Sequence, residues 1–176
     1  MTSITPRPPA FRSIAHDLGR DRNGTAVQLM PMSPAAAKIL GPGLAAIEPW
    51  ARVGFPAATM TAFLAASEAG AVRYQITVGD VAAGVLVIRH PWLHGPYLQL
   101  IGLLPPFHRR GIGEQALDWI ESEARGRFRN LWLCVSAFNT DARRLYERQG
   151  YTLAGRLDDL VYEGLDELLM RKRLFA

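Results

Sequence analysis

The chain has 176 residues, enough for one domain with a full core, and its 49% apolar and 20% charged residues are the composition of a chain that folds. A single cysteine, Cys134, excludes an intrachain disulfide and a multi-cysteine metal site, and the four histidines have no metal-ligand spacing, so no metal is expected. The net charge of +4 suits an anionic partner, whether nucleic acid, membrane or a phosphorylated small molecule, and does not choose among them.

Residues 1–24, with Pro6, Pro8, Pro9 and scattered arginines, read as a loose arm ahead of a domain spanning 25–176. They hold no apolar core of a signal peptide, and no apolar run has the length of a membrane span, so the expectation is a cytoplasmic protein without a membrane partner. TAVQLMPM reads as a first strand. Ser33 or Pro34 opens a short helix to about Leu40, and past the Gly41-Pro42-Gly43 break a helical region runs from Leu44 through Ala57 to Glu68. VRYQITV and AAGVLVIRH, separated by Gly79 and Asp80, form a hairpin, and PYLQLIGLL follows as another strand. A helix from about Gly111 to Arg125 carries Leu117, Ile120 and Ala124 on one face and stops at Gly126. NLWLCV is the near-continuous apolar run of a strand covered on both faces, and it closes a right-handed parallel βαβ unit. Asn139 or Asp141 then caps a helix with Ala142, Leu145 and Tyr146 on one face, and after Gly150 two strands fold around Glu163 and Gly164. The fold class is α/β with a mixed sheet.

Chemistry concentrates in HRRGIGEQA, residues 108–116. The first turn of a helix offers unpaired main-chain N–H groups and the positive end of its dipole to an anion. Gly111 and Gly113 let a ligand approach the main chain, and Arg109 and Arg110 add charge, although a plain tight turn is the alternative use of the glycines. GIGEQA formally matches the dinucleotide fingerprint, but the six residues Pro105–Arg110 separate it from the strand and no acid ends the next strand. Gly113-Glu114-Gln115 also lacks the Gly-Lys-Ser/Thr of a nucleotide-hydrolysing loop.

HRRGIG after a strand, followed by NLWLCVSAFNTDARRLYERQGY, resembles the GCN5-related N-acetyltransferases, the GNAT family, most closely over residues 97–174. The resemblance implies a single-domain GNAT-like fold, a mixed and mostly antiparallel sheet with a central parallel strand pair and flanking helices. It implies acetyl-CoA as co-substrate, its pyrophosphate held by main chain from His108, Arg109 and Arg110 through Gly111, Ile112, Gly113 and Glu114. Gly102, Leu103 and Leu104 would face the pantetheine arm where the sheet opens, with the N–H near Leu103 suited to the oxyanion. Asn139 would contact that arm, a role that can coexist with a helix cap. Tyr146 would protonate the departing thiolate, or else is a core aromatic beside Leu145, while Arg143 and Arg144 reach a phosphate or form a solvated helix face. His108 stands where the signature has Gln or Arg, a change that a main-chain role survives. Cys134 stands where the ribosomal-protein N-terminal acetyltransferases carry a carboxylate, so that substrate is not implied, and an isolated cysteine in an apolar strand reads as packing.

The implied activity is acetyl transfer to a primary amine of a small molecule or peptide by direct attack on the thioester, in a groove built by Trp50–Phe55 and the final hairpin. The central strands offer no carboxylate as base; Gln99 would at most orient a water, and Asp158, Asp159, Glu163 and Asp166 near the last turn are open candidates. A non-catalytic CoA-binding regulatory or partner-binding module is the alternative. RGRFRNLW is too short a basic run to imply a nucleic-acid partner, and a homodimer is left open.

Overall fold

In chain order the elements are β1 (His16–Arg20), β2 (Ala26–Pro31), α1 (Pro34–Ala45), α2 (Ala57–Ala65), β3 (Ala71–Val78), β4 (Val81–Trp92), β5 (Gly95–Leu103), α3 (Ile112–Ala124), β6 (Asn130–Ser136), α4 (Thr140–Arg148), β7 (Thr152–Tyr162) and β8 (Leu165–Arg173). The structure, a computed structural model, describes residues 10–174. An eight-stranded sheet takes the order β1-β2-β3-β4-β5-β6-β8-β7. β5 and β6 run parallel because α3 crosses between them, and the other neighbouring pairs are antiparallel. This is the expected α/β class with a mixed sheet and a central parallel pair.

Successive residues of a strand point to opposite faces, and β4 has apolar residues at consecutive positions because both of its faces are covered. Leu86 and Ile88 enter a core with Ile112, Ala116, Leu117 and Ile120 of α3. Val85 and Val87 enter a second core with Leu40 and Leu44 of α1 and Met60 and Leu64 of α2. Full burial of each such large aliphatic side chain contributes about 1.5–3 kcal/mol.

Two expectations change. Residues 10–24 are not an arm: Phe11 is buried against Trp119 and Phe128, with ring centroids 5.9 and 6.5 Å away, and β1 pairs with β2. The turn between them is held by Asp21, whose Oδ1 accepts the N–H groups of Asn23 and Thr25 at 2.9 Å each. Residues 1–9 of the expected arm lie outside the described residues. The second change is that α1 passes through Gly41-Pro42-Gly43 instead of ending at Leu40. Pro42 withdraws one intrahelical hydrogen bond, but the buried face of Ala37, Leu40 and Leu44 holds the helix in place. A Cβ on Gly41 would lie 2.2 Å from Thr61 Oγ1, so this glycine sets how closely α1 and α2 cross. The chain then turns until α2, which is confined to Ala57–Ala65.

Candidate active site

β5 and β6 pair only at Tyr97 with Trp132 and at Leu98 with Leu133. Directly beyond, β5 carries a bulge at Gln99, between the pairs Ile88–Leu98 and Val87–Leu100. A bulged strand bends, and the two strands diverge into a fork. Two adjoining cavities, of about 750 and 310 Å³, meet there and share Pro49, Trp50, Ile101, Asn139, Ala142 and Tyr146.

The larger cavity opens on the N-terminus of α3. Gly111, the N-cap, has φ 82° and no side chain to cap with, so the amides of the first turn stay uncapped. Arg109 is also left-handed, at φ 58°. This loop is stapled to the β1–β2 turn, where Arg22 N–H donates to Arg110 O (3.0 Å) and Arg22 Nη1 to Arg109 O (3.3 Å). Arg22 Nη2 pairs with Glu114 at 3.2 Å, and Arg148 approaches the same carboxylate at 3.8 Å. Arg110 Nε donates to Asp21 Oδ2 at 2.6 Å, and that carboxylate is fully buried. Burial would raise the Asp21 carboxyl, but hydrogen bonds from Thr25, Arg110 and Asn23 and the nearby guanidinium outweigh it and hold it below the usual carboxylate range. Arg22, Arg109, Arg110, Arg144 and Arg148 line the cavity beside the positive end of α3, with Glu48, Glu114 and Asp141 as its acids, an arrangement whose excess of cations suits an anion.

The expected site residues take distinct places around this mouth. Ile112 buries its side chain in the core and offers only main chain, while a Cβ on Gly113 would make an ordinary 3.6 Å contact with Leu145, so Gly111 is the constrained glycine of the pair. His108 Nε2 donates to Leu103 O at 2.7 Å and ties the loop back to β5. A Cβ on Gly102 would sit 2.6 Å from Trp50 Cη2 and 2.7 Å from Leu44 Cδ2, so this glycine seats the Trp50 ring in the shared wall. Leu104 departs from the expectation. Its N–H donates to Ala83 O at 2.8 Å, its side chain packs on Gly43 of α1, and it lines neither cavity. Strand alternation turns the N–H of Leu103 the other way, into the fork.

Asn139 caps α4, its side chain accepting from Ala142 N at 3.2 Å, and still lines both cavities. Arg143 Nη1 donates to Ala137 O at 3.2 Å. Tyr146 is buried yet borders both cavities, and burial pushes its phenol up, so it stays protonated across the neutral range.

Trp50, Val53 and Phe55 line the smaller cavity with Leu160, Val161 and Leu165 of the β7–β8 hairpin. Of the acids considered near the last turn, none lines either cavity: Asp158, Asp159 and Glu163 are exposed, and Asp166 pairs with Arg156. Gln99 lines the smaller cavity and accepts from Arg89 Nε at 3.3 Å. The carboxylate inside is one the sequence reading passed over, Glu167. β8 pairs it with Ser136 of β6, whose Oγ donates to Glu167 Oε1 at 2.6 Å, and burial raises its pKa against that bond. Cys134 lines the same cavity, its thiol pushed up by burial against a hydrogen bond from Tyr97. The missed signals were Asn23-Gly24 between two short runs, which marks the hairpin carrying Arg22, and the register of DELLM on LWLCVS, which selects Glu167 over its neighbours.

The acetyltransferase (GNAT) family profile matches residues 44–151. No curated protein matches the chain. Among solved structures it is similar to the ribosomal-protein-S18-alanine N-acetyltransferase from Escherichia coli, at 21% identity over 85% of this chain and 96% of that one, with a TM-score of 0.63. An acetyltransferase from Thermus thermophilus gives 18% identity over 84% and 97%, with a TM-score of 0.67. A GNAT family acetyltransferase from Elizabethkingia anophelis with acetyl-CoA bound gives 17% over 60% and 77%, with a TM-score of 0.52. These likenesses establish the fold, and the profile covers more than half of the chain, including the forked strands and the α3 mouth. The chain belongs to the GNAT family of acetyltransferases.

Proposed function

We propose that the protein transfers the acetyl group of acetyl-CoA to the nitrogen of a primary amine. The observation that carries this reading is the α3 mouth, where uncapped first-turn amides behind left-handed Arg109 and Gly111 open on a cavity bordered by Arg22, Arg144 and Arg148. Such donors fit a pyrophosphate, and the fork edge of β5 offers unpaired main chain to a linear amide-bearing arm. Acetyl-CoA, when bound, supplies an acyl thioester with a thiolate leaving group.

Main-chain N–H groups from Gly111 to Glu114 hold the pyrophosphate, and Arg22 and Arg148, paired with Glu114, flank it. The Leu103 N–H, directed into the fork, is the donor for charge developing on the carbonyl oxygen. Asn139 caps α4 and keeps the helix, and with it Tyr146, in position. Tyr146, protonated and at the wall between the two cavities, gives its proton to the departing sulfur. The experiment is a thiol-release assay with acetyl-CoA against a panel of primary amines and amino-terminal peptides, with the products identified by mass spectrometry. Amine-dependent thiol release with matching N-acetylated product supports the reading. Tight acetyl-CoA binding with no turnover on any amine would leave a CoA-binding module instead.

A further inference from the structure

The smaller cavity has a composition that narrows the acceptor. Trp50, Val53, Phe55, Leu160, Val161 and Leu165 make its walls apolar, and Leu160 and Val161 are each 54% exposed at its hairpin side. Among its lining residues Glu167 is the single carboxyl group, and no Lys or Arg lines it. A polyamine or aminoglycoside calls for several carboxylates, and an amino acid calls for a cation opposite its own carboxylate. A peptide brings main-chain N–H and C=O groups that need partners once buried, and of the polar side chains lining this cavity Tyr97, Gln99, Ser136 and Asn139 are already engaged with Cys134, Arg89, Glu167 and Ala142. A monoamine on an apolar body needs one carboxylate and little else.

We infer that the acceptor is a small primary monoamine with an apolar, aromatic or alkyl body, its ammonium held by Glu167, which also takes the proton that the nitrogen must lose. This rests on the transfer reaction proposed above. Ser136 Oγ occupies Glu167 Oε1 at 2.6 Å, and Oε2 accepts no hydrogen bond from the described residues, which leaves it for an ammonium. The cavity volume of about 310 Å³ is at the small end of ligand pockets. Burial raises the Glu167 carboxyl toward the range useful to a general base.

The titratable and charged groups around Glu167 are Tyr97 on β5, Cys134 on β6, Tyr146 on α4, and, beside its β7 partner Leu157, Arg156 and Asp158, with Asp166 adjacent on β8. Arg156 pairs with both of those aspartates outside the cavity. Burial pushes the two phenols and the thiol up, so they are uncharged where Glu167 titrates.

The proton and electron balance closes with these groups. The ammonium gives one proton to Glu167, which passes it to water, and the freed nitrogen lone pair forms the C–N bond as the C–S bond breaks. The sulfur keeps that electron pair and takes the Tyr146 proton, and the second proton leaving the nitrogen restores the phenol.

The test is calorimetric titration of 2-phenylethylamine, spermidine and a tetrapeptide with a free amino-terminal alanine into the wild type and Glu167→Gln, with acetyl-CoA titrated separately into both. We expect 2-phenylethylamine to bind the wild type most tightly and to lose about tenfold or more in Glu167→Gln, the effect of one hydrogen bond between charged groups. Acetyl-CoA affinity should be the same in both. In turnover, kcat/KM for 2-phenylethylamine should fall in acid along a limb set by Glu167, and Glu167→Gln should lose that limb and about 10²-fold in rate. Equal binding of 2-phenylethylamine by the two proteins, or preference for spermidine or the tetrapeptide, overturns the inference. Loss of acetyl-CoA binding in both proteins counts against the transfer reaction itself, while the amine titrations still decide the acceptor site.

Discussion

The two cavities that meet at Tyr146 are built by different means. The larger is made by main chain: a left-handed Gly111, the uncapped first turn of α3, and a loop tied down by Asp21 and Arg22. The smaller is made by side chains that arrive from distant parts of the sequence, Trp50 and Phe55 between α1 and α2, Cys134 on β6 and Glu167 on β8. A main-chain site survives exchange of its side chains, as the histidine at position 108 illustrates by bonding back to Leu103 O. A side-chain pocket changes its ligand with every substitution. Under the transfer proposed above, the fold keeps recognition of the co-substrate in main chain and leaves recognition of the acceptor to side chains.

Gly111→Asp should break the main-chain half hardest. It forces a side chain onto φ 82°, sets a Cβ 3.3 Å from Arg22 Nε, and brings a carboxylate to an anion site. Juxtaposed like charges cost several kcal/mol, so acetyl-CoA affinity by calorimetry should fall by about 100-fold or more. Gly102→Leu attacks the other half through the shared wall, since its Cβ meets Trp50 at 2.6 Å. Overpacking of this kind costs about 1–3 kcal/mol, readable by denaturant unfolding, and KM for the amine should rise more than the dissociation constant of acetyl-CoA.

How much of each half can be read in sequence follows from the same difference. HRRGIG is a local signal, because a helix mouth needs only adjacent residues to form, and the two strand-helix units around it fix the parallel pair. β1 is less visible, since HDLGR has little β propensity and its pairing depends on the turn that Asp21 holds. The passage of α1 through Pro42 is a tertiary override, held by the burial of Ala37, Leu40 and Leu44 on one face of the helix. Glu167 is legible only through the pairing of DELLM with LWLCVS, because one residue of register on β8 decides whether a carboxylate faces the cavity or solvent. The turning away of Leu104 likewise depends on which β5 amides β4 takes up.

Two smaller effects separate the two halves through pH. The Asp21 carboxyl is held low in the folded protein, so its stabilisation is present above its unfolded pKa of about 3.9 and is lost as pH falls through the lower folded value. Asp21→Asn should therefore lower Tm at neutral pH, and the difference from wild type should close in strong acid. Glu167 has the opposite sign: its folded pKa is raised, so stability falls as pH rises from the unfolded value of about 4.3 through the higher folded one. Glu167→Gln should raise Tm slightly at pH 8, and the gain should vanish toward pH 4, as scanning calorimetry would register.

In the proposed transfer the acetyl group crosses at the wall both cavities share, with Tyr146 as the acid. The direct measurement is single-turnover thiol release when the amine turned over by the wild type is added to acetyl-CoA pre-bound to Tyr146→Phe, taken beside calorimetric affinity for acetyl-CoA. If Tyr146 is the acid, affinity should be unchanged and the chemical step slowed by about 10²-fold or more. An unchanged single-turnover rate in Tyr146→Phe would contradict it and leave Tyr146 as packing between Leu145 and Tyr151.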